Sequence, residues 1–116
     1  MYQLPEDAWL RPLIGQRLIE ISCTINQVIF HFSDDAWIMA CREFRLISDG
    51  GDLEVSLPLS DAAVFRLLEC AVRGVSTSDG RTSLHVDFGD RQSLSFSGET
   101  NYESFHVCIN DDERII

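Results

Sequence analysis

The chain has 116 residues, of which 45% are apolar and 24% charged, values typical of one globular domain with its own hydrophobic core. Its 19 acidic residues outnumber the nine basic ones, all of which are arginine, and give a formal net charge of −10 at pH 7. This balance argues against binding to nucleic acid or to an anionic membrane, because both depend on cationic side chains, and it favours a basic protein partner.

The first half of the chain predicts a short helix followed by three strands. Pro12 limits the helix to one or two turns that end by Gly15. Period-two alternation predicts strands at Gln16–Ile25, Val28–Phe32 and Ala36–Phe44, with a possible continuation after a kink to Ile47. In the first strand the expected common face consists of Ile19, Ile21, Cys23 and Ile25. Turns are expected at Asn26-Gln27 and Ser33-Asp34-Asp35, and a loop at Ser48–Asp52.

The second half predicts a central helix between strands. Pro58 interrupts Leu53–Leu59, which favours an edge strand or an extended connector. Ser60 is the expected N-cap of a helix spanning about residues 60–70, with one apolar stripe. A strand at Val72–Thr77 is followed by a predicted three-strand meander that begins at Thr82 and whose third strand spans Tyr102–Ile109. The tail Asn110–Ile116 is expected either to fray or to extend that last strand.

Two segments of the first half have weaker counterparts in the second. Gln27–Asp35 matches Ser83–Arg91, and Leu13–Cys23 matches Leu67–Thr77. We therefore predict a single domain, residues 1–116, built from pseudo-repeats at 1–52 and 53–116. The predicted fold is mainly β with one or two short helices (α+β): two antiparallel meanders pack as a sandwich, a continuous sheet or a partly open barrel.

The chemistry-bearing residues suggest no enzyme. The sequence contains no nucleophile elbow, phosphate-binding loop, dinucleotide fingerprint, zinc-protease motif or EF-hand loop. His106 and Cys108 share a strand face and form the best metal-like pair, but two such residues at this spacing arise often by chance. We expect no catalytic residue, no metal and no cofactor.

The four cysteines show no paired or metal-type spacing and are expected to be reduced thiols in or near the core. The N-terminal residues include acids where a signal peptide needs a basic region, and no apolar run is long enough to span a membrane. These features predict a cytoplasmic protein that does not enter the membrane.

Acidic turns and nearby aromatic side chains are the candidate partner-binding residues. Carboxylates around an aromatic ring suit a basic protein surface, because arginine and lysine are attracted to both. The alternative is that the acids are ordinary turn residues and that the tryptophan belongs to the core. The candidates are Asp34, Asp35, Trp37, Asp87, Asp90, Glu99, Tyr102 and Glu103.

Three short motifs, Leu13–Gln16, Phe88-Gly89-Asp90 and Tyr102–Phe105, together resemble a family of small bacterial proteins of unknown function. We call the matched segments Leu13–Cys23 and Leu67–Thr77 the entry segments. The second departs from the pattern, since Glu69-Cys70 stands where the first has Gly15-Gln16. Some proteins of this family are thought to be immunity partners of secreted toxins. The resemblance thus implies a bacterial immunity protein.

The expected function is therefore non-enzymatic binding, most concretely neutralisation of a bacterial toxin by covering its basic active-site surface, such as that of a nuclease domain. One alternative is an acidic inhibitor that mimics nucleic acid, as phage antidefence proteins do. Another is a small-ligand-binding β-rich protein or an unrecognised enzyme, which would need a deep pocket lined by His31, His85 or Trp37. The partner and the oligomeric state stay open.

Overall fold

Ten strands, one α-helix and two 3₁₀ helices form the part of the chain that the computed structural model describes, namely residues 3–49, 51–78, 80–98 and 103–116. In chain order the elements are α1 Asp7–Leu10, a first 3₁₀ helix Arg11–Leu13, β1 Leu18–Cys23, β2 Val28–Phe32, β3 Ala36–Ala40, β4 Phe44–Ser48, β5 Gly51–Val55, a second 3₁₀ helix Ala62–Leu67, β6 Gly74–Thr77, β7 Ser83–Asp87, β8 Ser93–Ser97, β9 Phe105–Ile109 and β10 Asp112–Ile115.

The strands form two antiparallel sheets of five that pack on each other as a sandwich. Sheet I has the order β1-β2-β3-β9-β10, and sheet II has the order β5-β4-β8-β7-β6. The predicted mainly-β fold is confirmed, and the sandwich is the one of the three predicted packings that the chain adopts. No helix among the described residues is long and apolar enough to cross a membrane.

The two halves exchange hairpins. The first half gives β1–β3 to sheet I and sends the β4–β5 hairpin into sheet II, where β4 pairs with β8. The second half gives β6–β8 to sheet II and sends the β9–β10 hairpin into sheet I, where β9 pairs with β3. The two halves therefore share one connectivity when β5, which crosses the predicted boundary between residues 52 and 53, is counted with the first half. Neither half holds a complete sheet, so the halves fold as one unit.

The entry segments of the two halves pair with each other around a bridge between Arg17 and Ala71. Four backbone hydrogen bonds surround this bridge in two equivalent pairs, which is the pattern expected of a pseudo-two-fold axis. The N–H groups of one half donate to the carbonyls of the other in the bonds Gly15 to Val72 at 2.8 Å, Glu69 to Leu18 at 2.7 Å, Leu18 to Cys70 at 3.0 Å and Val72 to Gln16 at 2.8 Å.

The equivalent positions Gly15 and Glu69 also share a backbone conformation. Gly15 and Glu69 both lie in the left-handed region, with φ of 91° and 70°. We expect Glu69→Gly to raise the free energy of unfolding by roughly 0.5–1 kcal/mol, because glycine adopts this conformation without strain. Gly15→Ala should lower it by about 1 kcal/mol through strain alone, since a Cβ there meets no atom within 4 Å. Urea denaturation measures both effects. A loss of stability in Glu69→Gly, or a gain in Gly15→Ala, would contradict the assignment of these two positions as equivalent.

The core lies between the sheets and is built around four phenylalanines. Phe30 of sheet I meets Phe44 and Phe96 of sheet II, with ring centroids 5.4 and 5.8 Å apart in edge-on geometry. Phe96 also lies 5.7 Å from Phe105 of sheet I. These contacts cross the sandwich in both halves, so the rings join the two sheets directly.

The predicted third strand of the second meander is wrong in its placement. The strand predicted at Tyr102–Ile109 was expected beside the preceding strand, but β9 crosses to sheet I and lies between β3 and β10. Every residue of β9 is buried. A strand buried along its whole length needs a neighbouring strand on each side, and the position between β3 and β10 in sheet I supplies both.

The predicted burial of β1 is also wrong. The strand spans Leu18–Cys23 rather than Gln16–Ile25, and a bulge between Leu18 and Glu20 shifts its register against β2. Ile19 and Ile25, expected on the buried face, are 55% and 75% exposed. A bulge adds one residue to one strand, so the alternation read from the sequence changes phase at Ile19, whereas Ile25 lies beyond the end of β1.

Other boundaries also differ from the prediction, for example β5 at Gly51–Val55 and β6 at Gly74–Thr77. The strand expected at Ala36–Phe44 is divided, because β3 ends at Ala40 and β4 begins at Phe44 in the opposite sheet. The helix expected over about 60–70 is the six-residue 3₁₀ helix, and its cap is Asp61 rather than Ser60; the Asp61 carboxylate accepts from the Ala63 N–H at 2.9 Å. The tail is ordered as β10, with Ile116 buried.

Candidate functional site

The outer surface of sheet I carries histidine, tryptophan and cysteine side chains close together. Alternation turns Phe30, Ile38 and Val107 into the core, so their neighbours along each strand point outward. We call this surface the outer face of sheet I. Its central residues are Ile29, His31, Trp37, Met39, His106 and Cys108.

One row of register partners crosses all five strands of this face. It runs Glu20, His31, Trp37, Cys108 and Glu113, each residue paired with the next. Trp37 stands at the centre of the row and is half-buried, while a carboxylate ends the row on each side. Trp37 is thus not a core residue, because the core lies on the opposite face of β3.

Two turns place further carboxylates beside this row. The Asn110 N–H donates to the Asp35 carbonyl at 2.9 Å, which holds the β9–β10 turn against the β2–β3 turn. Asp34, Asp35 and Asp111 are exposed at this junction, and Glu113 follows on β10. We call these four residues the acidic corner. The corner concentrates negative charge within reach of Trp37.

Buried Gln16 fixes the geometry of the acidic corner. Its side-chain oxygen accepts from the Asp34 N–H at 3.0 Å, and its amide nitrogen donates to the Pro12 carbonyl at 2.8 Å. The residue is 6% exposed, and both bonds are partly buried. The β2–β3 turn is therefore anchored to the first 3₁₀ helix and presents its carboxylates from a rigid support.

The neighbouring carboxylate Asp112 is occupied by a different set of partners. Arg114 donates to it at 3.0 Å, and the Trp9 indole N–H donates to it at 3.0 Å. The Arg114 guanidinium and the Trp9 N–H hold the pKa of the Asp112 carboxyl below its ordinary value. Arg114 also lies over the Trp9 ring, 5.7 Å from its centroid. Asp112 and Trp9 are already satisfied within the molecule.

His106 and Cys108, the metal-like pair, both lie close to carboxylates. The His106 Nδ1 lies 2.7 Å from a Glu113 oxygen and its Nε2 lies 3.3 Å from a Glu103 oxygen, so both ring nitrogens have partners. Burial, and then the negative charge of Glu113 nearby, raises the pKa of the Cys108 thiol. A protonated thiol is a poor nucleophile and a poor metal ligand. The described ranges hold no group of three or more metal-ligating side chains.

His31 forms a second polar chain on this face. The Ser22 hydroxyl donates to a Glu20 carboxylate oxygen at 2.9 Å and lies 3.2 Å from the His31 Nε2. Because that hydroxyl gives its proton to Glu20, its oxygen accepts from the Nε2–H of the imidazole. The other register partner of His31 is Trp37.

The outer face of sheet II differs in chemistry. One of its register rows runs Glu54, Arg45, Ser95, His85 and Ser76. Its one cation in this row pairs within the sheet, as Arg45 binds Asp52 at 2.7 Å. This row carries no aromatic side chain comparable with Trp37.

The structure divides the predicted binding residues between the two sheets. Asp34, Asp35 and Trp37 come together on sheet I, and Glu103 joins them through His106. Asp87 and Asp90 lie at the β7–β8 turn of sheet II, where the Asp87 carboxylate accepts from the Gly89 N–H at 2.9 Å and so serves the turn itself. Glu99 and Tyr102 lie outside the described residues. Sequence reasoning missed Gln16, Glu20, Asp111 and Glu113.

The cysteines are free in the described chain, as expected, but they do not share one environment. Cys108 is buried and Cys41 and Cys70 are half-buried, whereas Cys23 is exposed at the edge strand β1. The prediction that all four lie in or near the core is therefore wrong for Cys23. Its strand ends at the rim of sheet I, where no further strand covers it.

Comparisons with known proteins do not extend this description. A scan against protein-family models, a search of curated proteins and a search of solved structures each found no match to this chain.

Proposed function

We propose that this protein is a non-enzymatic binding protein whose outer face of sheet I docks onto a basic surface of a protein partner. The observation that carries the proposal is the row through Trp37, which has a half-buried aromatic ring at its centre and a carboxylate at each end. The acidic corner adds three exposed aspartates beside this row.

Charge and shape both favour a cationic partner. An arginine or lysine above the Trp37 ring would gain a cation–π contact, and the surrounding carboxylates would accept its hydrogen bonds. The indole would supply the desolvated anchor that binding energy usually requires, while the acids would accelerate association. A mimic of nucleic acid would instead need one continuous acidic stripe, and here the ring interrupts the carboxylates.

The most concrete form of this proposal is an immunity protein that neutralises a bacterial toxin. A nuclease toxin must attract phosphate, so its active site presents a basic surface of the kind that this face would bind. Covering that surface blocks the substrate without any chemical step. The family resemblance of the entry and closing motifs supports this assignment.

Co-expression with the product of the adjacent open reading frame tests the proposal. We expect the toxin product alone to arrest growth of a bacterial host, and the wild-type chain to restore growth and to co-purify with it. The double variant Trp37→Ala, Asp35→Asn should fail to restore growth, whereas His85→Gln on the other sheet should protect as the wild type does. Full protection by the double variant would overturn the docking face, and absence of any complex would overturn the immunity function.

A further inference from the structure

The histidines are distributed unequally between the two outer faces. The chain has three: His31 and His106 lie on the outer face of sheet I, and His85 lies on that of sheet II. His31 is the register neighbour of Trp37, and His106 lies one row away beside Met39. Histidine is the side chain whose charge ordinarily changes between pH 5 and 8. The proposed docking face therefore carries titratable groups at its centre.

Each of these two histidines faces carboxylates from neighbouring elements. On β1 the groups next to His31 are Ser22 and Glu20, and on β3 its neighbour is the neutral Trp37. His106 faces Glu113 on β10 and Glu103 on the segment before β9.

Two further neighbours of His106 among the described residues, Met39 and Cys108, carry no basic group. Met39 is the β3 partner of His106, and the Cys108 thiol follows on the same strand face. A proton on either imidazole thus neutralises negative charge that a cationic partner would otherwise meet.

We propose, resting on the docking function above, that protonation of His31 and His106 weakens the binding of a basic partner by the outer face of sheet I. Two imidazolium ions would offset two of the six carboxylate charges on this face. The six carboxylates are those of Glu20, Asp34, Asp35, Glu103, Asp111 and Glu113. An imidazolium beside Trp37 would also compete with the partner's cation for the indole ring. Binding of a basic partner therefore weakens as the pH falls and the two imidazoles gain protons.

A defined cationic probe tests this inference without knowledge of the natural partner. We expect the affinity of a nona-arginine peptide, measured by calorimetry at constant ionic strength, to fall about tenfold between pH 8 and pH 5.5 for two added charges near the contact. The double variant His31→Gln, His106→Gln should lose most of this dependence. His85→Gln is the matched control and should behave as the wild type does.

A titration of the wild-type protein gives an independent readout that needs no variant. Because the linkage is reciprocal, bound peptide should move the midpoints of the His31 and His106 ring-proton titrations to lower pH and leave that of His85 unchanged. Equal shifts at all three histidines, or an unchanged pH dependence in the double variant, would overturn the inference. If the peptide at no pH perturbs the Trp37 indole signal, the docking face itself is wrong, which is a distinct failure.

Discussion

Replacing Phe30 by alanine is expected to lower the free energy of unfolding by about 3–5 kcal/mol. The side chain is 0% exposed and touches phenylalanines of the opposite sheet at centroid distances of 5.4 and 5.8 Å. Its removal opens a cavity between the sheets at the point where the two halves join. Urea denaturation followed by far-ultraviolet circular dichroism measures the loss.

Phe65→Ala is the matched control for that variant. Phe65 lies on the second 3₁₀ helix and is 43% exposed, so its truncation should change the free energy of unfolding by no more than about 0.5 kcal/mol. Losses of similar size at the two positions would contradict a core centred on the phenylalanine cluster.

Replacing Trp37 by alanine is expected to weaken partner binding at least about 30-fold, which corresponds to roughly 2 kcal/mol for a central aromatic anchor. The protein should remain folded, because Trp37 points away from the core. Isothermal titration calorimetry with the co-purified partner measures the dissociation constant, and circular dichroism checks the fold.

Trp9→Ala provides the comparison for this effect. Trp9 is also half-buried, but its indole N–H is bound to Asp112 and its ring is covered by Arg114, so it offers no free cation site. We expect its loss to change affinity less than about threefold. A larger loss of affinity at Trp9 than at Trp37 would move the anchor away from the outer face of sheet I.

Although the fold is repeated, only one of its two outer faces is proposed to bind, because the two faces differ in chemistry. The pair Arg45 and Asp52 on sheet II and the pair His106 and Glu113 on sheet I occupy the same diagonal of their hairpins, each at 2.7 Å. The hairpins thus share a polar contact, but sheet II uses a permanent cation where sheet I uses histidine. In the matched turn segments Ser93 stands where sheet I has Trp37. The halves share architecture and differ in surface chemistry.

Local pattern predicted much of the fold. The alternation of Val28–Phe32 and of Leu84, Val86 and Phe88 placed their core faces correctly, because one face of each strand is buried against the other sheet. The matched segments around Phe32 and Phe88 also indicated the repeat. These features depend on residues within one strand and its turn.

Sheet membership could not be predicted in the same way. The sequence of β9 fits an inner strand of either sheet, and its pairing with β3 is decided by contacts between residues far apart in the chain. The β1 bulge likewise depends on the neighbouring entry segment that pairs with Ala71. Such choices arise from tertiary packing, which alternation does not encode.

Only those residues of the candidate site that are close in sequence were predicted, because residues brought together by tertiary packing leave no local pattern. Asp34, Asp35 and Trp37 are close in sequence, and their proximity survives in the structure. Glu113 was missed because β10, with the sequence Asp-Glu-Arg-Ile, shows no apolar alternation. The signal in the sequence is the Asn110-Asp111 pair, because Asn and Asp readily adopt the positive φ of a tight hairpin turn, as both do here.

A nuclear magnetic resonance footprint of the protein with its co-purified partner tests the docking face most directly. We predict that the Trp37 indole N–H and the backbone amides of Asp35 and Asp111 shift or broaden on binding, while the amides of His85 and Ser95 on sheet II keep their positions. Perturbations confined to sheet II, with an unchanged Trp37 signal, would contradict the account.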